Sequence, residues 1–438
     1  MSKSAKTELE KQFANIVKYL AFAACAAKAP VSQSLTKEID GRVKIAGSAE
    51  NVQRWMFWTV PQATFFANAA SQKKVLLLGG NGVGKTVLMI QRAKELSILG
   101  EQVIFYIGSA FSAYGSIESL LQLQLQTEFE DFQTENPRSK KIQVRPLKSL
   151  KSFHPYDPIG KIHCFIDEID EKSFKDHAST LETKSLWVAV SFSQYSKDFE
   201  NADEAINHFK SQYPDWYIEF FSYILRTTQN VAKELKKPSR SNYLCINHRE
   251  FNIESKLNNL LDIPKNIQEG PEAATFEGLP LDQFCQKVFS TFNEIGKNDV
   301  ALVVLDKYVG APVKSISSKT SNANLKKSYF LSDTNYSVST EYNDYDYTMA
   351  FLLQTIPNSG RESPLIWLEA CSFNSKIDEI KDWIRGKLKC DLITDRCLIH
   401  GFEASTCISF SSSNTTNILS RTRVKHINFC GTYENVDF

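Results

Sequence analysis

The run Val75-Leu-Leu-Leu-Gly-Gly-Asn-Gly-Val-Gly-Lys-Thr86 constrains this chain more than any other segment. Residues 75–78 are consecutively apolar, so neither face of that segment suits water. A strand of this kind belongs inside a parallel sheet covered on both sides. Residues 79–86 then read G-x-x-x-x-G-K-T, and residues 86–99 read as a helix closed by Gly100. Strand, glycine loop and helix in this order form a phosphate cradle. Gly79, Gly80, Asn81, Gly82, Val83 and Gly84 let the backbone wrap an anion with its N–H groups inward. The helix N-terminus adds positive partial charge. Lys85 is expected to reach the β- and γ-phosphates of ATP, and Thr86 to ligate Mg2+. Lys-Thr directly after the glycine, with these flanks, separates the loop from an ordinary glycine-rich turn.

A second apolar strand, His163-Cys-Phe-Ile-Asp-Glu168, ends in two carboxylates. Asp167 stands where a phosphate-loop ATPase holds Mg2+. Glu168 is placed to orient or deprotonate an attacking water. Asp170 and Glu171 extend the acidic run and read as a solvated helix start.

Charge bounds the partners. Lysine plus arginine is 51 and aspartate plus glutamate is 50, a formal net charge of +1. The broad positive footprint of a nucleic-acid-coating protein is therefore missing, while a local basic groove stays open. The basic stretch Arg138, Lys140, Lys141, Arg145, Lys148 and Lys151 reads first as a solvated face. Nine cysteines lie scattered without a C-x-x-C pair, so zinc-ribbon spacing is absent and buried thiols in a reducing compartment are expected. The apolar run 19–27 falls short of the roughly 20 residues of a membrane span. Residues 5–28 read as a helix with one buried face. An intracellular chain, in cytoplasm or nucleus and without a membrane partner, is expected.

Strands and helices alternate from about residue 51, which predicts parallel sheets flanked by helices. Further strands are expected at 102–107, 162–166, 186–190, 243–246, 301–305, 365–368 and 406–410. Helices are expected at 279–296 and 374–387. Residues 1–50 form a helical accessory segment and linker. Residues 51–238 form a first domain with an irregular insertion at about 108–160, and 239–438 form a second. Residues 307–345 read as loop-rich. Trp55-Met-Phe-Trp58 reads as packing for the N-terminal segment.

Further motifs follow in order. Gln62 lies upstream of the phosphate loop. Leu244-Cys-Ile-Asn-His-Arg249, Gly401-Phe-Glu403 and Leu419-Ser-Arg-Thr-Arg423 lie downstream. Together these resemble superfamily 1 helicases of the UvrD/Rep kind. The resemblance implies an α/β fold with two RecA-like P-loop NTPase domains, parallel sheets flanked by helices, plus a short N-terminal helical segment. It implies ATP between the two lobes, with Gln62 on the adenine, Glu403 near the sugar, Arg249 on the γ-phosphate and Arg421 as an arginine finger. Single-stranded DNA or RNA is the implied partner.

The pattern departs from that family at three places. Asp170 stands where D-E-x-Q has glutamine. Ser191-Phe-Ser-Gln194 lacks the aspartate of G-D-x-x-Q. His400 replaces the lysine before Gly401. These are the motifs that couple nucleotide to nucleic acid in that family. A second expectation therefore stands beside the first, an ATP-dependent switch or interaction protein with protein partners and no unwinding. An AAA+ or STAND-type switch fits less well, because those classes carry a helical lid where the C-terminal arginine motifs stand here.

Overall fold

The computed structural model describes residues 38–39, 43–44, 60–80, 82–108, 120–147, 159–169, 174–178, 181–190, 199–224, 227–236, 243–246, 249–252, 260–264, 269–295, 299–305, 344–367, 377–395, 399, 402, 404–411 and 422–430. The expected helix 5–28, the cluster Trp55–Trp58 and nearly all of the stretch 307–345 lie outside them. The chain divides into two compact units, residues 1–63 and 64–438. In the first, strands β1 (Glu38–Ile39) and β2 (Val43–Lys44) pair antiparallel. Helix α1 (Val60–Ala69) crosses the boundary between the units.

The second unit holds two parallel sheets. The first consists of β3 (Lys74–Gly79), β4 (Val103–Ile107), β5 (Gln143–Pro146), β6 (His163–Ile169), β7 (Ser185–Val190) and β8 (Tyr217–Phe221). Its order is β5-β4-β6-β7-β3-β8, with every pairing parallel. Strands β9 (Tyr243–Ile246) and β10 (Arg249–Asn252) form an antiparallel pair of their own. The second sheet consists of β11 (Ala274–Glu277), β12 (Ala301–Leu305), β13 (Leu365–Trp367), β14 (Leu392–Asp395), β15 (Ala404–Ser411) and β16 (Thr422–Cys430). Its order is β11-β16-β15-β12-β14-β13, again all parallel. Two parallel six-stranded sheets flanked by helices are the expected fold class. Strand β9, at the expected place, pairs among the described residues with β10 and is not part of the second parallel sheet.

Helices α2 (Lys85–Ile98), α3 (Leu120–Glu135), α4 (Ala202–Gln212), α5 (Gln229–Leu235), α6 (Leu281–Glu294), α7 (Asp344–Asn358) and α8 (Ile377–Ile384) complete the described elements. Helix α2 ends as its sequence demands. Gly100 takes φ 80°, Gly100 N–H donates to Ser97 O at 3.0 Å, and Glu101 N–H donates to Leu96 O at 3.0 Å.

The continuous apolar strands are buried on both faces, as parallel packing requires: residues 75–78 and 301–305 are sealed from water. On one face of the second sheet, Val303, Ile393, Ile408 and Ile427 pack with Phe284, Val288 and Phe292 of α6 and with Leu352 and Ile356 of α7. On the other face, Leu302, Val304, Leu392 and Cys407 pack with Ile380 and Trp383 of α8 and with Leu120 and Leu123 of α3.

Helix α3 therefore serves both sheets. Its Phe129 ring lies 5.8 Å from Phe105 of β4, while Leu120 and Leu123 cover the second sheet. Ion pairs bind α3 to the α8 region: Lys381 Nζ to Glu130 at 2.7 Å and Arg385 Nη2 to Asp131 at 3.2 Å. The chain between the sheets is pinned as well. Thr228 N–H donates to Arg423 O at 2.9 Å, and Asn230 Nδ2 donates to Gly270 O at 2.8 Å.

The region 108–160 read as an irregular insertion, yet its described part contributes α3 and the edge strand β5. Leu120-Leu-Gln-Leu-Gln-Leu125 alternates with period two, like a strand. A helix wedged between two sheets needs apolar residues on more than one side. Leu120, Leu121, Leu123, Leu125 and Phe129 are all buried, so no 3.6-residue stripe marks it.

Two buried histidines fall in these strands. Burial pushes His163 of β6 and His426 of β16 down to about 4. Their folded values lie below the ordinary 6.5, so the unfolded chain takes up more protons between pH 6.5 and 4. The stability tied to neutral histidine is complete above that window and disappears as pH falls through it.

Two predictions follow from the packing. Leu123→Ala should cost about 2–4 kcal/mol in denaturant unfolding, whereas Glu130→Gln, an exposed ion-pair partner, should cost about 1 kcal/mol or less. Equal costs would show that α3 is held by charge and not by its buried leucines. Between pH 7 and 4.5, the parent chain should lose more denaturant resistance than a His163→Gln variant does. Parallel pH curves would show that His163 titrates alike in the folded and the unfolded chain.

Candidate nucleotide site

The loop 79–86 sits at the carboxyl end of β3, where parallel sheets bind ligands. Gly79 takes φ 138°. A Cβ there would collide with the carbonyl of Phe221 on the adjacent β8, so β8 shapes the loop from beside it. Gly82 and Gly84 also take positive φ, 76° and 91°. Val83 is the loop's anchor, buried to 1% exposure. Gly84 is the N-cap of α2 and no side chain caps that helix end. An uncapped helix start facing a glycine loop suits an anion.

Lys85 opens α2, and its Nζ donates to Gly79 O and Gly80 O, each at 2.8 Å. The ammonium is thus folded onto the loop's own carbonyls, where phosphate oxygens can replace them.

The carboxylates enter from β6. One strand, β7, separates β6 from β3. Asp167 is 1% exposed. Its Oδ1 accepts from Glu168 N–H at 3.0 Å, and its Oδ2 has no hydrogen-bond partner. Burial, followed by the charge of Glu168, pushes Asp167 up to about 7, against the Thr86 hydroxyl and the Lys85 ammonium that pull it down. A sealed carboxylate oxygen without a partner is costly. A dication placed there would supply what the oxygen lacks. The donor set fits Mg2+, with one carboxylate and one hydroxyl from the protein and the rest from phosphates and water.

Glu168 is the one non-glycine residue with positive φ among the described residues, at 55°. The β6–β7 register shifts between Ile166 and Ile169, so the chain bulges at Asp167 and Glu168. Bulges re-aim side chains, and strain of this kind gathers at functional sites. Gly108, after β4, makes room for the bulge. Its N–H donates to Asp167 O at 2.6 Å. A Cβ there would collide with the Glu168 carbonyl and lie 2.8 Å from Ile169 Cα.

The structure therefore brings together Gly79, Gly80, Gly82, Val83, Gly84, Lys85, Thr86, Asp167 and Glu168. Asn81, Asp170, Glu171, Gln194, His400, Gly401, Glu403 and Arg421 lie outside the described residues. Arg249 opens β10, opposite Ile246, and its side chain is outside the description. Gln62 is buried in α1, at 4% exposure. The basic stretch splits. Arg138, Lys140 and Lys141 precede β5, Arg145 lies within that strand, and Lys148 and Lys151 are outside the described residues. Sequence reasoning missed Gly108 and Phe221, whose roles arise from strand neighbours distant in the chain.

No protein-family model matches the sequence, and no curated protein matches it. Among solved structures, the fold is similar to that of the DUF1998 helicase MrfA bound to DNA and AMPPNP. The TM-score is 0.42 and the identity 9%, over 92% of this chain and 52% of that one. A Dbp5 variant from S. cerevisiae bound to RNA and ADP BeF3 gives a TM-score of 0.45 and 11% identity, over 89% and 88%. The Mycobacterium smegmatis helicase Lhr bound to ssDNA and AMP-PNP gives 0.46 and 10%, over 87% and 47%. The chain spans about half the length of MrfA and of Lhr. At these identities the likeness concerns the fold alone.

Gly108→Ala should disturb the bulge that carries Asp167 and Glu168 while sparing the loop 79–86. Isothermal titration with Mg2+ and a non-hydrolysable ATP analogue should show affinity reduced by about tenfold or more, with far-ultraviolet dichroism unchanged. Parental affinity would show that the bulge tolerates a Cβ.

Proposed function

We propose that this chain binds ATP with Mg2+ and hydrolyses it on a helicase-like core, the nucleotide lying between two RecA-like lobes. The observation that carries the reading is the bare, buried Oδ2 of Asp167 beside Thr86 and Lys85. Asp167 and the Thr86 hydroxyl would hold the ion, and Mg2+ bound there supplies neutralisation of the phosphate charge. Lys85 exchanges the Gly79 and Gly80 carbonyls for phosphate oxygens. Backbone N–H groups of Gly80, Asn81, Gly82, Val83 and Gly84 cradle the chain of phosphates. Glu168, re-aimed by its bulge, orients a water and takes its proton.

In this reading residues 51–238 and 239–438 are the two lobes, and residues 1–50 an accessory segment. Arg249 and Arg421 bring cations to the γ-phosphate, where they stabilise charge during transfer. Gln62 reads the adenine and Glu403 the sugar. Single-stranded DNA or RNA is the proposed partner of the assembled core.

One observation favours a second reading, an ATP-driven switch acting on protein partners without unwinding. Helix α3 is packed into the cores of both sheets. Lobes joined through a common buried helix open less freely than lobes joined by a linker.

Lys85→Ala should weaken binding of Mg-ATP by about a hundredfold or more, and equal affinity would refute the site. Glu168→Gln should keep binding and lower turnover by about 10²–10⁴. Unchanged turnover would remove Glu168 from the chemistry. The ATPase rate measured with and without a single-stranded DNA or RNA oligonucleotide separates the two readings. Stimulation of several-fold supports the translocating one, and indifference supports the switch.

A further inference from the structure

The opposite end of the first sheet carries a second surface, one strand length from the nucleotide loop. A strand of five or six residues at about 3.3 Å per residue puts it roughly 15–20 Å away. Backbone hydrogen bonds fix this end. Lys140 N–H donates to Ser97 O at 3.0 Å, and His163 N–H to Gln102 O at 2.9 Å. Lys184 N–H donates to Ile162 O at 2.9 Å, and Leu186 N–H to Lys73 O at 2.8 Å. The Ser97 hydroxyl also donates to Lys140 O. The end of α2 and the turns before β5, β6, β7 and β3 are thereby stitched into one row.

Three kinds of side chain stand on this row. Arg138, Lys140, Lys141, Lys161, Lys184 and Lys73 are all exposed. Among the described residues, the carboxylates beside them are Glu101, Glu135, Glu182 and, at the level of Lys73 on the neighbouring β8 turn, Asp215, and Glu101 is already engaged by Lys184 Nζ at 2.6 Å. Six described cations against four described carboxylates is an excess in a chain whose net charge is +1. Next to Lys140, at the end of α2, stand Ile98 and Leu99, 59% and 71% exposed. These are the most exposed large hydrophobic residues among those described.

We infer that this row docks an acidic protein segment with aliphatic anchors, its carboxylates on the lysines and its apolar side chains over Ile98 and Leu99. Cations alone would suit nucleic acid equally well. The aliphatic pair decides between them. Ile and Leu do not stack bases and gain nothing from phosphate, whereas a partner's Leu or Ile removes their surface from water. Carboxylates around that contact add complementarity and speed encounter. The surface lies away from loop 79–86, so the inference stands independently of ATP binding.

The test uses the full chain and a fluorescein-labelled helical peptide of alternating Glu-Glu-Leu-Leu composition, read by anisotropy. Three competitors accompany it: the same peptide with Ser for Leu, one with Lys for Glu, and a single-stranded oligo-dT. We expect the parent to bind the Glu/Leu peptide at micromolar strength and at least tenfold more tightly than any competitor. Binding should weaken severalfold as salt rises. Ile98→Ser with Leu99→Ser, and separately Lys140→Glu with Lys141→Glu, should each weaken it by at least fivefold. Because all four side chains are exposed, each variant should unfold at the parental denaturant midpoint. Equal binding of the Ser-for-Leu peptide overturns the anchor role. Undiminished binding by both variants overturns the location. Tighter binding of oligo-dT, lost in the Lys140→Glu/Lys141→Glu variant, overturns the class of partner and makes the row a nucleic-acid surface.

Discussion

Helix α3 is the element on which the arrangement of both sheets depends. A parallel sheet must be covered on both faces, and the second sheet draws part of one cover from a helix encoded within the first. Leu120 and Leu123 provide the apolar contact, and Glu130 and Asp131 meet Lys381 and Arg385 at its margin. The buried leucines contribute most of the energy, since partly exposed ion pairs add little. The ion pairs orient α3 against α8. The pinning of residues 227–230 onto residues 270 and 423 adds a second fixed point.

Against that scaffold, the candidate site is a place where folding rules are broken locally. Asp167 is a carboxylate sealed from water with one oxygen unpartnered, and Glu168 adopts a backbone that side chains avoid. Both costs fall on consecutive residues at the end of one strand. Gly108 and Gly79, each without room for a Cβ, show that neighbouring backbones crowd the loop and the bulge. Lys85 meanwhile donates to the loop's carbonyls, which keeps the ammonium solvated by protein.

Charge is distributed by end. The carboxyl end of the first sheet gathers one lysine, two carboxylates and a helix start around the loop. The amino end gathers exposed lysines and arginine beside two exposed aliphatic residues. Near-neutral totals conceal this separation, because a net charge says nothing about which strand ends carry it.

The loop 79–86, its flanking strand and helix, and the strand ending in Asp167 and Glu168 were legible in the sequence, because each rests on local pattern: an apolar run, glycines and adjacent charged residues. The parallel fold class was legible for the same reason, since strands buried on both faces cannot alternate. Helix α3 was not, because burial from two sides erases the stripe that identifies a helix, and its leucines alternate like a strand. Nor was the pairing of β9, whose apolar residues could serve a sheet or a hairpin equally well. The sequence by itself thus determined the strand, loop and helix at 75–99 and the strand that ends in two carboxylates. Only the tertiary structure decided that Gly108 and Phe221 shape them, that Glu168 is turned by a bulge, and that one helix is buried against both sheets, because those contacts join residues far apart in the chain.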